Sequence, residues 1–117
     1  MKLNVFLAYT SNGPIALRLL DKRLRMDKRG RIRLRVRCVS ESKTCVARLI
    51  AYHGRPIAFG KATLPSGEVR RMRLRLPKGI RRSVRRHRKG VVVRVDATAN
   101  DAGGGTGEAS RRLRVRR

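Results

Sequence analysis

The two cysteines, Cys38 and Cys45, are the residues whose type and spacing point most directly to chemistry. Six residues separate them, and both follow the inward register of the alternating segments on either side. We therefore expect the sulfur atoms to face each other across a hairpin loop, where a disulfide would stabilise the fold by about 2–3 kcal/mol. The alternative is a pair of buried thiols that pack as small apolar side chains. An oxidised pair would indicate a secreted or cell-envelope protein, whereas free thiols suit the cytoplasm.

The other residue types that metal sites and active sites use form no recognisable pattern. His53 and His87 are not at zinc-finger spacing from the cysteines, and His87 lies in a basic run typical of a solvated surface. Asp96 is expected on the outer side of a strand, paired with an arginine. Residues 103–107 lack the helix and the Lys-Ser/Thr pair of a phosphate-binding loop, so they are predicted to turn the chain into the last strand. The sequence predicts no catalytic residue, no metal site, no cofactor and no small-molecule substrate.

Charge is the most unusual property of the sequence. The chain contains 32 Lys and Arg against 7 Asp and Glu, which gives a formal net charge of +25. A surface of this charge attracts polyanions such as cell-wall polymers, anionic glycans and nucleic acid. Because 25 of the basic residues are Arg, which GC-rich codons favour, genome composition is a second explanation of the excess. The sequence leaves both explanations open.

Two groups of basic residues are the candidate polyanion-binding sites. One is the basic run that follows Pro77, and the other consists of arginines that alternate with aliphatic residues in two segments. Arginine suits phosphate because its guanidinium group donates parallel hydrogen bonds to two oxygens. The candidates are Arg81, Arg82, Arg85, Arg86, Arg88 and Lys89 in the run, and Arg33, Arg35, Arg73 and Arg75 in the alternating segments.

Strict alternation of apolar and basic residues defines the elements that must position these groups. It extends over residues 31–38, 71–76 and 112–116. A period of two places the aliphatic side chains on one face of a strand and the arginines on the other, as in half-buried antiparallel strands. A helix would distribute the arginines around its circumference, so these segments are predicted to be strands.

Shorter patterns complete a single all-β domain with an aliphatic core. The further predicted strands are residues 15–20, 46–52, 57–64 and 91–99, the third of them a short edge strand. Near residues 77–88 we expect one short helix that caps the end of the domain and is anchored by Ile80 and Val84, with Gly90 as its stop. We therefore predict an Ig-like antiparallel β-sandwich of about seven strands over residues 15–117, preceded by an N-terminal extension, residues 1–14.

Several motifs of the chain add a resemblance to this pattern. They are the strand Lys-Arg-Gly-Arg-Ile-Arg-Leu-Arg-Val-Arg-Cys at 28–38, a second Cys after a short loop, an Ile-Ala-Phe-Gly-Lys-Ala hairpin at 57–62, the turn Leu-Pro-Ser-Gly-Glu-Val-Arg at 64–70, a basic helical turn, and Val-Asp-Ala-Thr-Ala-Asn-Asp-Ala-Gly-Gly at 95–104. With these motifs the chain resembles the Ig-like β-sandwich repeat domains of secreted and surface proteins of high-GC actinobacteria. The resemblance covers about residues 15–117 and implies a non-enzymatic module that spaces, displays or adheres, usually beside other domains.

Two functions of different classes follow from these observations. The first is a structural or adhesion module of a secreted or cell-envelope protein, whose cationic surface binds polyanions. The second is a nucleic-acid-binding protein that does not read base sequence, because no helix-turn-helix, zinc finger or RNA-recognition motif is present. Only Tyr52 and Phe59 offer rings for base stacking in the body of the domain, so such binding would be steeply salt-dependent. No apolar run approaches the roughly 18 residues of a membrane helix.

Overall fold

The computed structural model describes residues 15–117, so the predicted extension, residues 1–14, lies outside the described residues. In the described range the chain is mostly strand with one short helix, which confirms the all-β prediction. There are eight strands in this range instead of about seven, and the additional one is β2. The elements are β1 (Ala16–Leu19), β2 (Arg23–Arg25), β3 (Arg31–Val39), β4 (Thr44–Tyr52), β5 (Pro56–Pro65), β6 (Val69–Arg75), α1 (Lys78–Arg86), β7 (Val91–Asp101) and β8 (Thr106–Arg116).

The strands form two sheets. Sheet A has the order β1-β3-β6, and sheet B, which curls into a half-barrel, has the order β2-β8-β7-β4-β5. The pairing is antiparallel except between β2 and β8, where it is parallel, so the prediction of purely antiparallel pairing is wrong at this point. The chain passes from β1 to β2 at a corner between the sheets, where Leu20 N–H donates to Arg35 O on β3 and Met26 N–H donates to Arg116 O on β8. Strand β2 thereby becomes the edge strand of sheet B beside β8.

One aliphatic core lies between the two sheets. On β3, residues at alternate positions are fully buried, among them Ile32, Leu34 and Val36, while the arginines between them remain outside. The same alternation places Leu74 of β6 and Val95 of β7 in the core. The predicted faces of the alternating segments are therefore confirmed. They follow from the two-residue period of an extended chain and from the free energy gained when aliphatic surface leaves water.

Two predicted hairpins are absent from this arrangement. Strands β3 and β4 belong to different sheets, because the turn between them carries the chain from sheet A to sheet B. The turn between β5 and β6 returns the chain from sheet B to sheet A. It is hydrogen-bonded to the segment that joins β3 and β4, with Gly67 N–H donating to Cys38 O and Ser66 N–H donating to Lys43 O. The edge strand expected at residues 57–64 is present, but it is a continuous ten-residue strand, β5, and no hairpin interrupts it.

Helix α1 connects β6 of sheet A to β7 of sheet B, as predicted for the segment near residues 77–88. Val84 is fully buried and Ile80 is partly buried against the core, so both expected anchors are confirmed. Pro77 lies at the N-cap with extended backbone, and the helix ends at Arg86. Gly90 is not the helix stop: its N–H donates to His87 O, and its φ of 79° closes the turn into β7.

Candidate polyanion-binding surface

Eight arginines lie on the outer surface of sheet A, which we call the arginine face. Every second side chain of β3 and β6 turns outward, because the intervening aliphatic side chains are buried. Strand β1 adds one further arginine beside them. The arginine face consists of Arg18, Arg31, Arg33, Arg35, Arg37, Arg71, Arg73 and Arg75.

The register between β3 and β6 places arginines directly opposite one another. On one face of a strand, side chains repeat about every 7 Å, and directly opposed side chains lie about 5 Å apart. The guanidinium groups therefore form a two-dimensional array in which like charges repel, and bound anions would reduce this repulsion. The opposed pairs are Arg31–Arg75, Arg33–Arg73 and Arg35–Arg71.

Two carboxylates at the edge of the arginine face neutralise part of its charge. Asp21 Oδ1 lies 3.0 Å from Arg35 Nε, and Asp21 Oδ2 accepts a hydrogen bond from the backbone N–H of Arg35. Asp27 Oδ2 lies 3.1 Å from Arg31 Nε, and Asp27 Oδ1 accepts hydrogen bonds from the N–H groups of Arg29 and Arg31. The backbone hydrogen bond from Arg31 is the main reason that the pKa of Asp27 is lowered. The other six arginines of the face form no ion pair with any described residue.

A cleft of about 440 Å³ lies where the arginine face ends. It is formed by the last opposed arginine pair of sheet A, the turn between β2 and β3, and helix α1. Gly30 N–H donates to Asp27 O at 3.0 Å and closes the turn, and Leu76 N–H donates to Gly30 O at 2.9 Å and holds the end of β6 against it. The cleft is lined by Lys28, Arg29, Arg31, Arg75, Arg81 and Arg85.

Gly30 allows the helix to approach the turn closely. Its φ of 78° lies in the left-handed region that favours glycine, and the side chain of Arg81 lies where a Cβ atom at this position would be. Arg85 Nη2 donates to the carbonyl oxygen of Lys28 at 3.3 Å. Both helix arginines are therefore positioned over the turn by direct contacts.

The structure separates the candidate residues of the sequence analysis into groups. Those on the strands, Arg33, Arg35, Arg73 and Arg75, all lie on the arginine face. Of those in the basic run, Arg81 and Arg85 line the cleft together with Arg75. The remaining candidates of the run are exposed and do not line the cleft: Arg82, Arg86, Arg88 and Lys89.

Sequence reasoning missed the cations of the turn between β2 and β3 and those of β2 itself. Lys28 and Arg29 enter the sequence analysis only as the start of the motif at 28–38, and nothing in that motif indicates that helix α1 packs beside the turn between β2 and β3. Arg23 and Arg25 are exposed on β2, at the corner of the two sheets. Their alternation around Leu24 was a usable signal, but three residues are too few for a strand to be predicted from it.

The outer surface of sheet B is different over β4, β5, β7 and the first half of β8, a region that we call the mixed face. Arg94 Nε lies 3.2 Å from Asp96 Oδ1, and its guanidinium carbon lies 4.5 Å from the ring centre of Tyr52. Ser110 Oγ also donates to Asp96 Oδ1, at 2.7 Å. Phe59 on β5 is 71% exposed. The predicted pairing of Asp96 with an arginine is confirmed. Around Asp96 the charges are satisfied by neighbouring side chains, whereas Arg48 and Lys61 lie opposite each other and form no ion pair with any described residue.

A disulfide joins Cys38 of β3 to Cys45 of β4, as predicted. The expected position across a hairpin is wrong, because the two strands lie in different sheets. Both cysteines are buried in the core, so the bond links sheet A to sheet B from within. A bond of this kind is compatible with an extracellular location.

Other features with a bearing on chemistry are few in the described part of the chain. No group of three or more His, Cys, Asp or Glu side chains within residues 15–117 could hold a metal ion. The carboxylate of Asp101 accepts hydrogen bonds from the N–H groups of Gly103 and Gly105, which shapes the glycine-rich turn before β8. The single described helix, α1, is too short and too polar to cross a membrane.

Comparisons with known proteins add no relative to this description. The sequence matches no model of a protein family, and it matches no curated protein either. The inference about function therefore starts from the two surfaces and the cleft.

Proposed function

We propose that this protein is a non-catalytic module of a secreted or cell-envelope protein, and that its arginine face binds a polyanion such as a cell-wall polymer or an anionic glycan. The observation that supports it is the array of eight arginines on one sheet surface, six of them without an ion-pair partner among the described residues. Such an array can bind successive anionic groups of one polymer, which raises its effective affinity. Genome composition is an explanation for the number of arginines, and the two-residue period of β3 and β6 places eight of them together on this face.

We also infer an Ig-like arrangement of the two sheets. In Ig domains one sheet contains strands A, B and E, and the other contains C, F and G. The order β1-β3-β6 corresponds to A-B-E, and the neighbouring strands β8, β7 and β4 correspond to G, F and C, with β5 as an added edge strand. The disulfide then connects B to C, whereas antibody domains connect B to F. By analogy alone, this arrangement supports a module that spaces or adheres.

Nucleic acid is the second class of polyanion that the arginine face could bind. Its arginines would contact phosphates and read no bases. Tyr52 and Phe59, the aromatic residues of the described chain, lie on sheet B and offer no stacking platform beside the arginines. This separation, together with the disulfide, favours a polymer outside the cell over nucleic acid.

The test compares two double variants that each remove one directly opposed pair of cations. R33Q/R73Q changes the arginine face, and R48Q/K61Q changes the mixed face. Binding to poly(glycerol phosphate), heparin and mixed-sequence duplex DNA is measured by calorimetry at about 0.15 M salt, where distant charges are screened. We expect R33Q/R73Q to weaken binding of poly(glycerol phosphate) or heparin by about tenfold, from up to roughly 1 kcal/mol per lost contact, and R48Q/K61Q to have little effect.

Two outcomes would contradict the proposal. Equal losses in the two variants would mean that net charge alone attracts the polymer. Binding of DNA that persists at this salt concentration while the other two polymers do not bind would favour the nucleic-acid function. In that case each phosphate contact that R33Q/R73Q removes should lower the salt slope of duplex binding by about 0.9.

A further inference from the structure

The cleft at the end of the arginine face differs from the face itself in its geometry. On the face, side chains extend from one flat sheet, and an anion above it is approached from one side only. In the cleft, cations come from three elements: the turn before β3, the last opposed pair of sheet A, and helix α1. A compact anion in the cleft is therefore surrounded by donors from several directions, which a polymer segment lying on the face is not.

The donors of the cleft are available to a ligand. Asp27 is the carboxylate beside it, and its hydrogen bonds go to the backbone N–H groups of Arg29 and Arg31 and to Arg31 Nε. Among the described residues, Lys28, Arg29, Arg75, Arg81 and Arg85 form no ion pair. The register of β3 and β6 places Arg75 at the cleft, the contact with Gly30 places Arg81 there, and the hydrogen bond to Lys28 O places Arg85 there. Five cations therefore remain without a neutralising side chain around one cleft.

We propose that this cleft binds a compact group carrying two or more negative charges, such as a terminal phosphomonoester or pyrophosphate, and prefers it to an internal phosphodiester. The chemical reason is that a phosphomonoester offers three terminal oxygens and a charge near −2, whereas a diester offers two oxygens and one charge. Guanidinium groups that converge from different sides can each pair with a different oxygen edge. The inference rests on the proposed function, because it makes the cleft the place where the end of a polymer on the arginine face is held.

The test uses two helix variants of equal charge. R81Q/R85Q removes two cations that line the cleft, and R82Q/R86Q removes two from the same helix that do not. Inorganic pyrophosphate is titrated into each folded variant by calorimetry at about 0.15 M salt. We expect R81Q/R85Q to bind pyrophosphate at least about tenfold more weakly than the parent, and R82Q/R86Q to stay within about twofold of it, since only the first pair loses charge-assisted hydrogen bonds.

A second measurement separates a free anion from a polymer end. Short glycerol phosphate oligomers with and without a terminal phosphomonoester are compared for the parent, R81Q/R85Q and R33Q/R73Q. We expect the terminal phosphate to strengthen binding to the parent and to R33Q/R73Q, and this gain to disappear in R81Q/R85Q. Binding of pyrophosphate without any gain from the terminal phosphate would assign the cleft to a free anion instead of a polymer end.

The outcomes of the two inferences can be told apart. Pyrophosphate affinity that is absent, or that falls equally in both helix variants, overturns the cleft proposal, and the effect of R33Q/R73Q on long polymers is then unaltered. If long polymers bind R33Q/R73Q as tightly as they bind the parent protein, the proposed function is wrong. Selective loss of pyrophosphate binding in R81Q/R85Q would still support the cleft proposal. Thermal unfolding of each variant verifies that the compared proteins are folded.

Discussion

The arginine face and the part of the mixed face around Asp96 are built on sheets of the same domain, yet their charges are paired to very different extents. On the mixed face, Arg94 has Asp96 at 3.2 Å and the ring of Tyr52 below it. On the arginine face, Arg33 and Arg73 lie opposite each other with no carboxylate between them. The difference shows which cations the fold itself uses: Arg94 is paired within the domain, whereas six of the eight arginines on the arginine face remain for solvent or a ligand.

The same comparison explains a cost of the arginine face in the free protein. Directly opposed like charges destabilise a sheet, and the three opposed pairs of β3 and β6 repeat this unfavourable contact. The hydrophobic core and the disulfide beneath sheet A offset that repulsion. Stability and binding are therefore expected to change in opposite directions when the charge of this face is altered.

The largest expected effect comes from the disulfide that links the two faces from below. Reduction of the Cys38–Cys45 bond, or the variant C38A/C45A, should lower the free energy of unfolding by about 2–3 kcal/mol, because an eight-residue loop is no longer closed in the unfolded chain. Urea unfolding with and without a reductant measures this. The double variant also removes two sulfur atoms from the core, so the reduced parent protein, which keeps them, is the control. Equal stability of the oxidised and reduced parent protein would contradict the prediction.

A charge reversal distinguishes the faces directly. R73E places a carboxylate opposite Arg33 and should raise the free energy of unfolding by about 0.5–1 kcal/mol, because one repulsive cross-strand pair becomes attractive. R112E is the matched control on sheet B: it lies opposite Arg94, which already binds Asp96, so its gain should be smaller. Denaturant unfolding measures both, and an equal or larger gain for R112E would mean that the opposed pair Arg33–Arg73 is no more repulsive than the pair Arg94–Arg112 of sheet B.

Anions should stabilise the protein mainly through the arginine face. Sulfate or phosphate is expected to raise the melting temperature of the parent, because anions that bind only the folded array shift the unfolding equilibrium. The rise in melting temperature should be smaller for R33Q/R73Q than for R48Q/K61Q. At roughly 0.1 M anion the difference corresponds to a few tenths of a kcal/mol in the free energy of unfolding. Thermal scans with sodium chloride at matched ionic strength separate anion binding from screening. Identical shifts in the two variants would count against a bound anion on the face.

Acid should reveal the smallest effect, at the carboxylate beside the cleft. Folding lowers the pKa of Asp27 below its ordinary value of 3.8, so its contribution to stability is complete above that value and is lost as the pH falls through the lower folded pKa. D27N should therefore show a flatter fall in melting temperature below about pH 4 than the parent. Parallel melting-temperature curves for the two proteins below about pH 5 would contradict this assignment.

The sequence predicts which side chains face the core, but not which strands share a sheet. Alternation in residues 31–38 and 71–76 is a local property of an extended chain, so the buried and exposed sets could be read from it. The turn after Cys38 has the length of a hairpin loop, and the inward register of both cysteines suits a hairpin as well as a crossing between sheets. Only the packing of the whole core distinguishes the two.

The cleft shows the same limit for the candidate site. Its residues come from the turn at 28–29, from Arg31 and Arg75 at the sheet end, and from helix α1, which are far apart along the chain. Composition marks each segment as basic, but only the register of β3 and β6 and the close approach at Gly30 bring them together. The prediction of a basic helix after Pro77 was therefore correct, but only two of the five arginines of the run reach the cleft.

The regular alternation of β3 and β6 also has a consequence for how the two strands find their alignment. A slip by one residue would push guanidinium groups beneath the sheet and is strongly disfavoured. A slip by two residues merely exchanges aliphatic for aliphatic and arginine for arginine, so the repeating side chains scarcely oppose it. The unique alignment is instead fixed at the two extremities, where Gly30 O receives Leu76 N–H and Cys38 O receives Gly67 N–H. In this protein the repeating residues in the middle of β3 and β6 stabilise the pairing of the two strands, and the hydrogen bonds at its two ends determine the register.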